Sequence, residues 1–441
     1  MKSGGGDVPV IFATGIRCAS DQHAAQPDRP MNPSASPTPR AQRGLQSTAF
    51  AQPGAPALAG PEGIRYDFNF GCRVQVPKDG WRVRMHDLDT ANVLFDEALN
   101  AGEIATSRRK YYVRFLLEVF DGPLRVFSHA FDAAGRRVRV EVGSGAIGDA
   151  LAWMPAFEAF RAQHECVLTV RMATSLHALF EAGYPAIAFT AAAGAEDETA
   201  GPVYATYRVG AYRPLSDRDH QPTDLRVSNL QDFASYMLGV PALERRPRVS
   251  VANPERAIAE RYVCIATQAS SQCKYWNNPH GWPALVAHLK ARGYRVLCID
   301  RDREYGSPGE LNVMPEGAED FTGARALTER ASLLAHADFF VGLGSGLSWL
   351  AWAVGVPVVL ISGFSHPKAE FHTPWRVINF HACNSCYNDT RYESDDSDFG
   401  WCPRHAGDAF RYQCTKAITP AHVIGVVDRL IATLGATHRD E

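Results

Sequence analysis

The 441-residue sequence has no excess of charge of either sign: 45 Lys and Arg stand against 48 Asp and Glu, a formal net charge of -3. Without a basic surplus there is no global electrostatic attraction to nucleic acid or to an anionic membrane, so partners have to be read from local sites. Also missing is the Gly-Lys-Ser/Thr ending that would make a P-loop of GLGSGLSW, Gly342 to Trp349, which disfavours nucleotide hydrolysis. The first sixty residues lack any sustained apolar period, are rich in Ala, Pro, Ser, Gly and Gln, and read as a disordered leader, 1–60. Their VPVIFATGI is too short for the core of a signal peptide, which gives a cytoplasmic expectation. An uncharged stretch from Phe339 to Phe364 is long enough to cross a bilayer. Its glycine-broken turn and β-branched VPVVLIS divide it into a buried strand, helix and strand, so no membrane span is expected.

What is present is ordinary globular material, 46% hydrophobic and 21% charged, long enough for two domains with appendages. From Gly63 to about Val140 short alternating segments such as WRVRMHDLD and RRVRVEVGSG, separated by FDGP and DAAG, predict antiparallel strands in a small barrel or sandwich, taken as a module over 61–140. Beyond it the rhythm becomes strand, helix, strand. One unit runs over 141–245, with a hairpin expected near 199–214, and a second over 246–441. Such alternation implies parallel sheets covered by helices: an α/β fold of two facing Rossmann-like domains, function lying in the cleft between them.

Four stretches could carry chemistry. GSGAIGDALAWMP, Gly143 to Pro155, is a glycine-rich turn at a strand end, and Asp149 stands where the next helix begins. Helix capping is the plainer role for that aspartate. The letters G-x-G-x-x-G are matched, yet no acidic residue follows at the strand end where a nicotinamide dinucleotide needs one; Glu165 precedes the next strand. Lys274 lies in a polar loop, with Thr267 earlier in it, between a strand and a helix start, where free amides and the helix dipole favour phosphate; a solvated loop lysine is the alternative. In GLGSGLSW the small residues Gly344, Ser345, Gly346, Leu347 and Ser348 would expose amide donors and hydroxyls to a diphosphate, although close helix-to-sheet packing also explains the glycines. Finally, Cys383, Cys386, Cys402 and Cys414 form C-x2-C-x15-C-x11-C in a segment too polar to order itself. A metal on four thiolates would supply that order, on the order of 10 kcal/mol for structural zinc. Disulfides are the competing reading, His405 is an alternate ligand, and spacing leaves zinc and iron both open.

Taken together, GAIGDALAWMP, the Lys274 loop, VGLGSGLSWLAWAVGVPVVLISGF and the late four-cysteine finger resemble the bacterial autotransporter heptosyltransferases, relatives of the lipopolysaccharide heptosyltransferases of glycosyltransferase family nine. The resemblance covers about residues 63 to 430. It implies a GT-B-type enzyme that moves heptose from ADP-heptose to serine hydroxyls of an autotransporter adhesin passenger domain, with inversion at the anomeric carbon. By the same resemblance Asp149 is the general base, Lys274 contacts the donor diphosphate and the four cysteines bind structural iron, with no catalytic metal expected. It further implies a homo-oligomer, a dodecameric ring among the forms it allows, assembled with help from an N-terminal β-barrel and a protruding hairpin. The lipopolysaccharide enzymes carry a histidine where this sequence has Trp349, a departure from their pattern. Two rivals remain: a lipopolysaccharide-type enzyme with a sugar acceptor, and a noncatalytic metal-stabilised assembly protein.

Overall fold

In the computed structural model the chain is described over residues 54–192, 201–307, 309–394 and 397–437. Nearly all of the expected leader, the first part of the expected 199–214 hairpin and residues 395–396 of the cysteine segment lie outside the described residues. Everything described belongs to one of the chain's two units, Gly44–Glu441.

The first lobe is built on four parallel strands, Arg137–Val142, Val167–Met172, Ile187–Ala191 and Ala205–Val209, lying in the spatial order third, second, first, fourth. Ala205–Val209, within the span of the expected hairpin, is thus a parallel strand at the heart of the sheet. Alternation in RVRVEV buries Val138, Val140 and Val142 against the covering helix Ile147–His164. Three strands of the antiparallel region extend this sheet: Arg65–Asn69 pairs parallel with Ala205–Val209, and Arg73–Gln75 and Ile104–Thr106 follow antiparallel. Asp67, fully buried, accepts from Arg73 Nε and Nη2 at 2.8 and 2.6 Å and from Asn69 Nδ2 at 2.9 Å. Asn69 Oδ1 in turn accepts from Thr206 Oγ1 at 2.6 Å, so a satisfied polar network welds the added strands to the parallel ones.

The rest of that region forms a four-stranded antiparallel sheet in the order Asn92–Leu99, Trp81–Asp87, Phe115–Asp121, Leu124–Ala130. It is open among the described residues, its two edge strands unpaired with each other. The last hairpin turns on Gly122 and Pro123, where Gly122 supplies the positive φ, 55°, of a primed turn.

The second lobe has six parallel strands in the order Glu319–Asp320, Arg295–Cys298, Tyr262–Ile265, Phe340–Leu343, Val358–Ile361, Arg376–Val377, that is third, second, first, fourth, fifth, sixth along the chain. Its central strands are buried throughout, as continuous apolar runs covered on both faces must be. Helices Gly281–Ala291 and Pro420–Thr437 share one core with that sheet, while residues of Leu327–Ala335 and Gly346–Ala353 join a core continuous with the first lobe. The uncharged stretch is the strand, helix and strand foreseen, and among the described residues no helix is long and apolar enough to cross a membrane. A small hairpin, Glu304–Ser307 with Glu310–Val313, has no counterpart in the sequence reading. In both parallel sheets the order reverses between the first and fourth strands, and ligands of such sheets bind outside the carboxyl ends at that point.

Candidate active site

At the first lobe's reversal the strand Arg137–Val142 runs through Gly143 to Ala146 into Ile147–His164. The cap residue of this helix is Ala146, whose amide donates to Ser144 Oγ at 3.0 Å, so Asp149 is not the cap; it sits half-buried in the first turn. At the second lobe's reversal, Gly344 and Ser345 lead from Phe340–Leu343 into the helix Gly346–Ala353, and the cap residue Ser345 makes no side-chain capping bond. Neither cap residue, Ala146 or Ser345, bonds to its helix's opening amides through a side chain, and the positive end of each dipole favours an anion.

These two helix starts touch. A Cβ on Gly346 would lie 2.9 Å from Ile147 Cβ and 3.2 Å from the Gly148 amide nitrogen, and one on Gly148 would lie 3.1 Å from Trp349 Cδ1. Glycine at both positions therefore sets how closely the lobes approach. Beside the contact opens a cleft of about 290 Å³ whose walls include Asp149 from the first lobe and Lys274, Gly344, Ser345, Gly346 and Glu370 from the second. Among the described residues Ser345 Oγ is buried with no hydrogen-bond partner, which suits it to bond a ligand oxygen. Lys274 closes the short 3-10 turn Gln272–Lys274; its Nζ donates to Ser270 Oγ at 3.1 Å and lies 5.3 Å from the centroid of the Phe364 ring. An ammonium, an orphan hydroxyl and a helix start from the second lobe thus line the same cleft as the Asp149 carboxylate from the first.

Other expected residues lie away from the cavity wall. Thr267 is buried, and its amide and hydroxyl both donate to Asp300 Oδ2, at 2.7 and 2.9 Å. Burial pushes the Asp300 carboxyl up against the opposing pull of the Thr267 and Gln268 donors, and its bonds fix this loop. Ser348 is fully buried and donates to the Leu343 carbonyl, and Leu347 does not line the cleft. Trp349, by contrast, does line the cleft: 4% exposed, it packs edge-on to Trp352 and Phe371 while one edge meets Gly148. Sequence reasoning missed the walls given by Ser228, Leu230, Glu370 and Tyr387. Phe364 and Ser365, directly after a strand end, were the detectable part of that wall.

The late cysteines come together. Cys386, Cys402 and Cys414 are buried, Cys383 is half-buried, and all are free thiols. Burial first, then the proximity of the other thiols, pushes Cys414 up; burial pushes Cys386 up to about 11. Cys273, beside Lys274, was not foreseen here, yet it packs with Cys386, Trp401, Cys402 and Tyr412 in one small core. Among the described residues no group of three or more His, Cys, Asp or Glu is arranged to hold a metal ion. The donor set, four cysteine sulfurs, nevertheless suits a soft metal in kind. His405 is paired with Asp408 at 3.0 Å. The segment also supports the cleft: the Gln272 amide donates to the Phe399 carbonyl at 2.8 Å, and the Tyr387 amide to the Phe364 carbonyl at 3.1 Å.

Residues 60–123 match the family model for the N-terminal domain of glycosyltransferase TibC, and residues 212–397 that for glycosyltransferase family 9 (heptosyltransferase). An autotransporter heptosyltransferase of Citrobacter rodentium is 47% identical over 397 residues, 89% of this chain and 95% of the relative. The autotransporter heptosyltransferase TibC of Escherichia coli is 46% identical over 395 residues, 88% and 95% of the two chains. A Burkholderia thailandensis relative described as an inactive autotransporter heptosyltransferase, BimC, is 41% identical over 416 residues, 93% and 96% of the two. Among solved structures, the dodecameric iron-containing heptosyltransferase TibC in complex with ADP-D-beta-D-heptose aligns with a TM-score of 0.83 at 46% identity, covering 87% of this chain and 99% of that one.

Proposed function

This chain belongs to the autotransporter heptosyltransferases of glycosyltransferase family nine, and from that premise we propose that it transfers heptose from ADP-heptose to serine hydroxyls of an autotransporter adhesin. The observation that carries the reading is that Asp149 and the Lys274–Ser345 cradle, from different lobes, line the same cleft. A serine hydroxyl is a weak nucleophile at neutral pH. With Asp149 in hydrogen-bond reach, its proton passes to the carboxylate as the oxygen attacks the anomeric carbon, for about 10²–10⁴-fold in rate. As the bond to ADP breaks, negative charge grows on the diphosphate. Lys274, Ser345 Oγ and the opening amides of Gly346–Ala353 are fixed donors for that charge and need no reorganisation as it develops. Attack from the side opposite the leaving group gives inversion, in a GT-B-type pair of lobes.

The four cysteines Cys383, Cys386, Cys402 and Cys414 would hold structural iron, as the iron-containing TibC makes plausible in kind; iron there supplies order to a polar segment and leaves the transfer to the cleft. The same relative motivates an oligomeric ring. The adhesin acceptor and a cytoplasmic location complete the proposal. One observation favours a noncatalytic reading: a relative over most of this chain's length is described as inactive, so family membership alone does not carry activity. Purified protein incubated with ADP-heptose and a serine-bearing adhesin repeat should raise the repeat's mass by whole heptose units. Donor binding with no mass change would support the noncatalytic reading, and a lipopolysaccharide acceptor modified in place of the repeat would support the sugar-acceptor rival.

A further inference from the structure

Resting on that donor assignment, we propose that Glu370 is the specificity-determining residue for the donor's sugar: its carboxylate accepts from heptose hydroxyls beside the diphosphate cradle. Glu370 lines the cleft, and its side chain is 10% exposed. Its Oε1 accepts from Ser365 Oγ at 2.9 Å and its Oε2 from Arg376 Nη1 at 2.6 Å. A carboxylate has about four acceptor positions, so these bonds lock its orientation and still leave lone pairs for a ligand.

The carboxylate enters the cradle because residue 344 is glycine; a Cβ there would overlap Glu370 Oε1. An anion in that place repels phosphate. The ligand group it can receive is one that donates a hydrogen bond, and the hydroxyls of a polyol do so. Two parts of a sugar nucleotide carry hydroxyls, the nucleoside ribose and the transferred sugar. The position of Glu370 selects the second: its backbone carbonyl accepts from Nδ2 of Asn229 at 3.0 Å, and Asn229 caps the first-lobe helix Leu230–Leu238. Glu370 therefore stands at the seam between lobes, in the cleft that Asp149 also lines and where the anomeric carbon has to lie for transfer. A site that holds a hydroxyl with a buried acceptor rejects analogues lacking it far more strongly than an apolar pocket rejects a missing methylene.

The test is calorimetric titration of the full chain with ADP and with ADP-heptose, for the wild type, Glu370→Gln and Glu370→Asp. Glu370→Gln keeps the shape and an oxygen for Arg376; Glu370→Asp keeps the charge but shortens the reach. ADP contains the ribose and diphosphate, so it reports on everything except the sugar. The expected result is an ADP affinity within about two-fold of wild type in both variants, and ADP-heptose weakened by about 10-fold or more, the size of one lost charged hydrogen bond. Equal weakening of both ligands, whether from ribose contact or from a collapsed cradle, overturns the proposal, and so does unchanged affinity for both. Wild-type protein that binds ADP-heptose no better than ADP overturns the donor assignment along with it; a wild-type preference retained in both variants overturns the Glu370 role alone.

Discussion

Gly346→Ala places a methyl group between the lobes and removes no polar group from the cleft. The new Cβ would be 2.9 Å from Ile147 Cβ, whereas carbon atoms rest about 3.5–4.0 Å apart, an overlap of roughly 0.6–1.1 Å. The alanine gains about 0.5–1 kcal/mol of helix preference, against an overpacking cost of about 1–3 kcal/mol, so folding stability should fall by about 0–2.5 kcal/mol. Relief comes by moving Ile147 away, and Asp149 lies in the same helical turn. A displacement near 1 Å between reacting groups costs about 10²-fold in rate. The expected variant unfolds within a few degrees of wild type, binds ADP nearly as well, and transfers heptose about 10²-fold more slowly at saturating donor. Transfer within two-fold of wild type would refute the claim that glycine contact sets the catalytic spacing.

Lys274→Ala should weaken ADP about 10- to 100-fold by removing one charged hydrogen bond, while the melting temperature barely moves, since the side chain's bonds are to exposed Ser270 and the face of Phe364; titration and a thermal scan check both. If the four cysteines hold iron as proposed, Cys402→Ser should lower the iron found per chain by elemental analysis and speed proteolysis between residues 383 and 414, because the packing of Cys402 against Cys273 and Trp401 is altered together with a proposed ligand. Iron content and digestion rate equal to wild type would contradict that role.

Much of the architecture was legible because glycine-punctuated strands and helices alternate. The strand, helix and strand inside Phe339 to Phe364 lie where the pattern put them. Asn278 has the residue type of a helix cap, but its side chain accepts from the His280 amide ahead of the helix Gly281–Ala291, whose cap position is His280. The fusion of Arg65–Asn69 with the parallel sheet was hidden, since a period of two reports a half-buried strand but not its neighbour. At the site, strand-end glycines and Lys274 announced themselves through local spacing. Glu370 could not, because its meaning comes from Gly344 and Arg376, partners that only the folded chain brings to it. Thr267 looked available from its loop position, but its donors are taken by a buried carboxylate beyond the next helix.

The most direct test of the central claim is single-turnover transfer by Asp149→Asn alongside its ADP affinity. Asparagine fills the same volume and cannot take a proton, so the account predicts ADP binding near wild type and heptose transfer to the adhesin repeat slowed by about 10²-fold or more. Transfer by Asp149→Asn at the wild-type rate would contradict it.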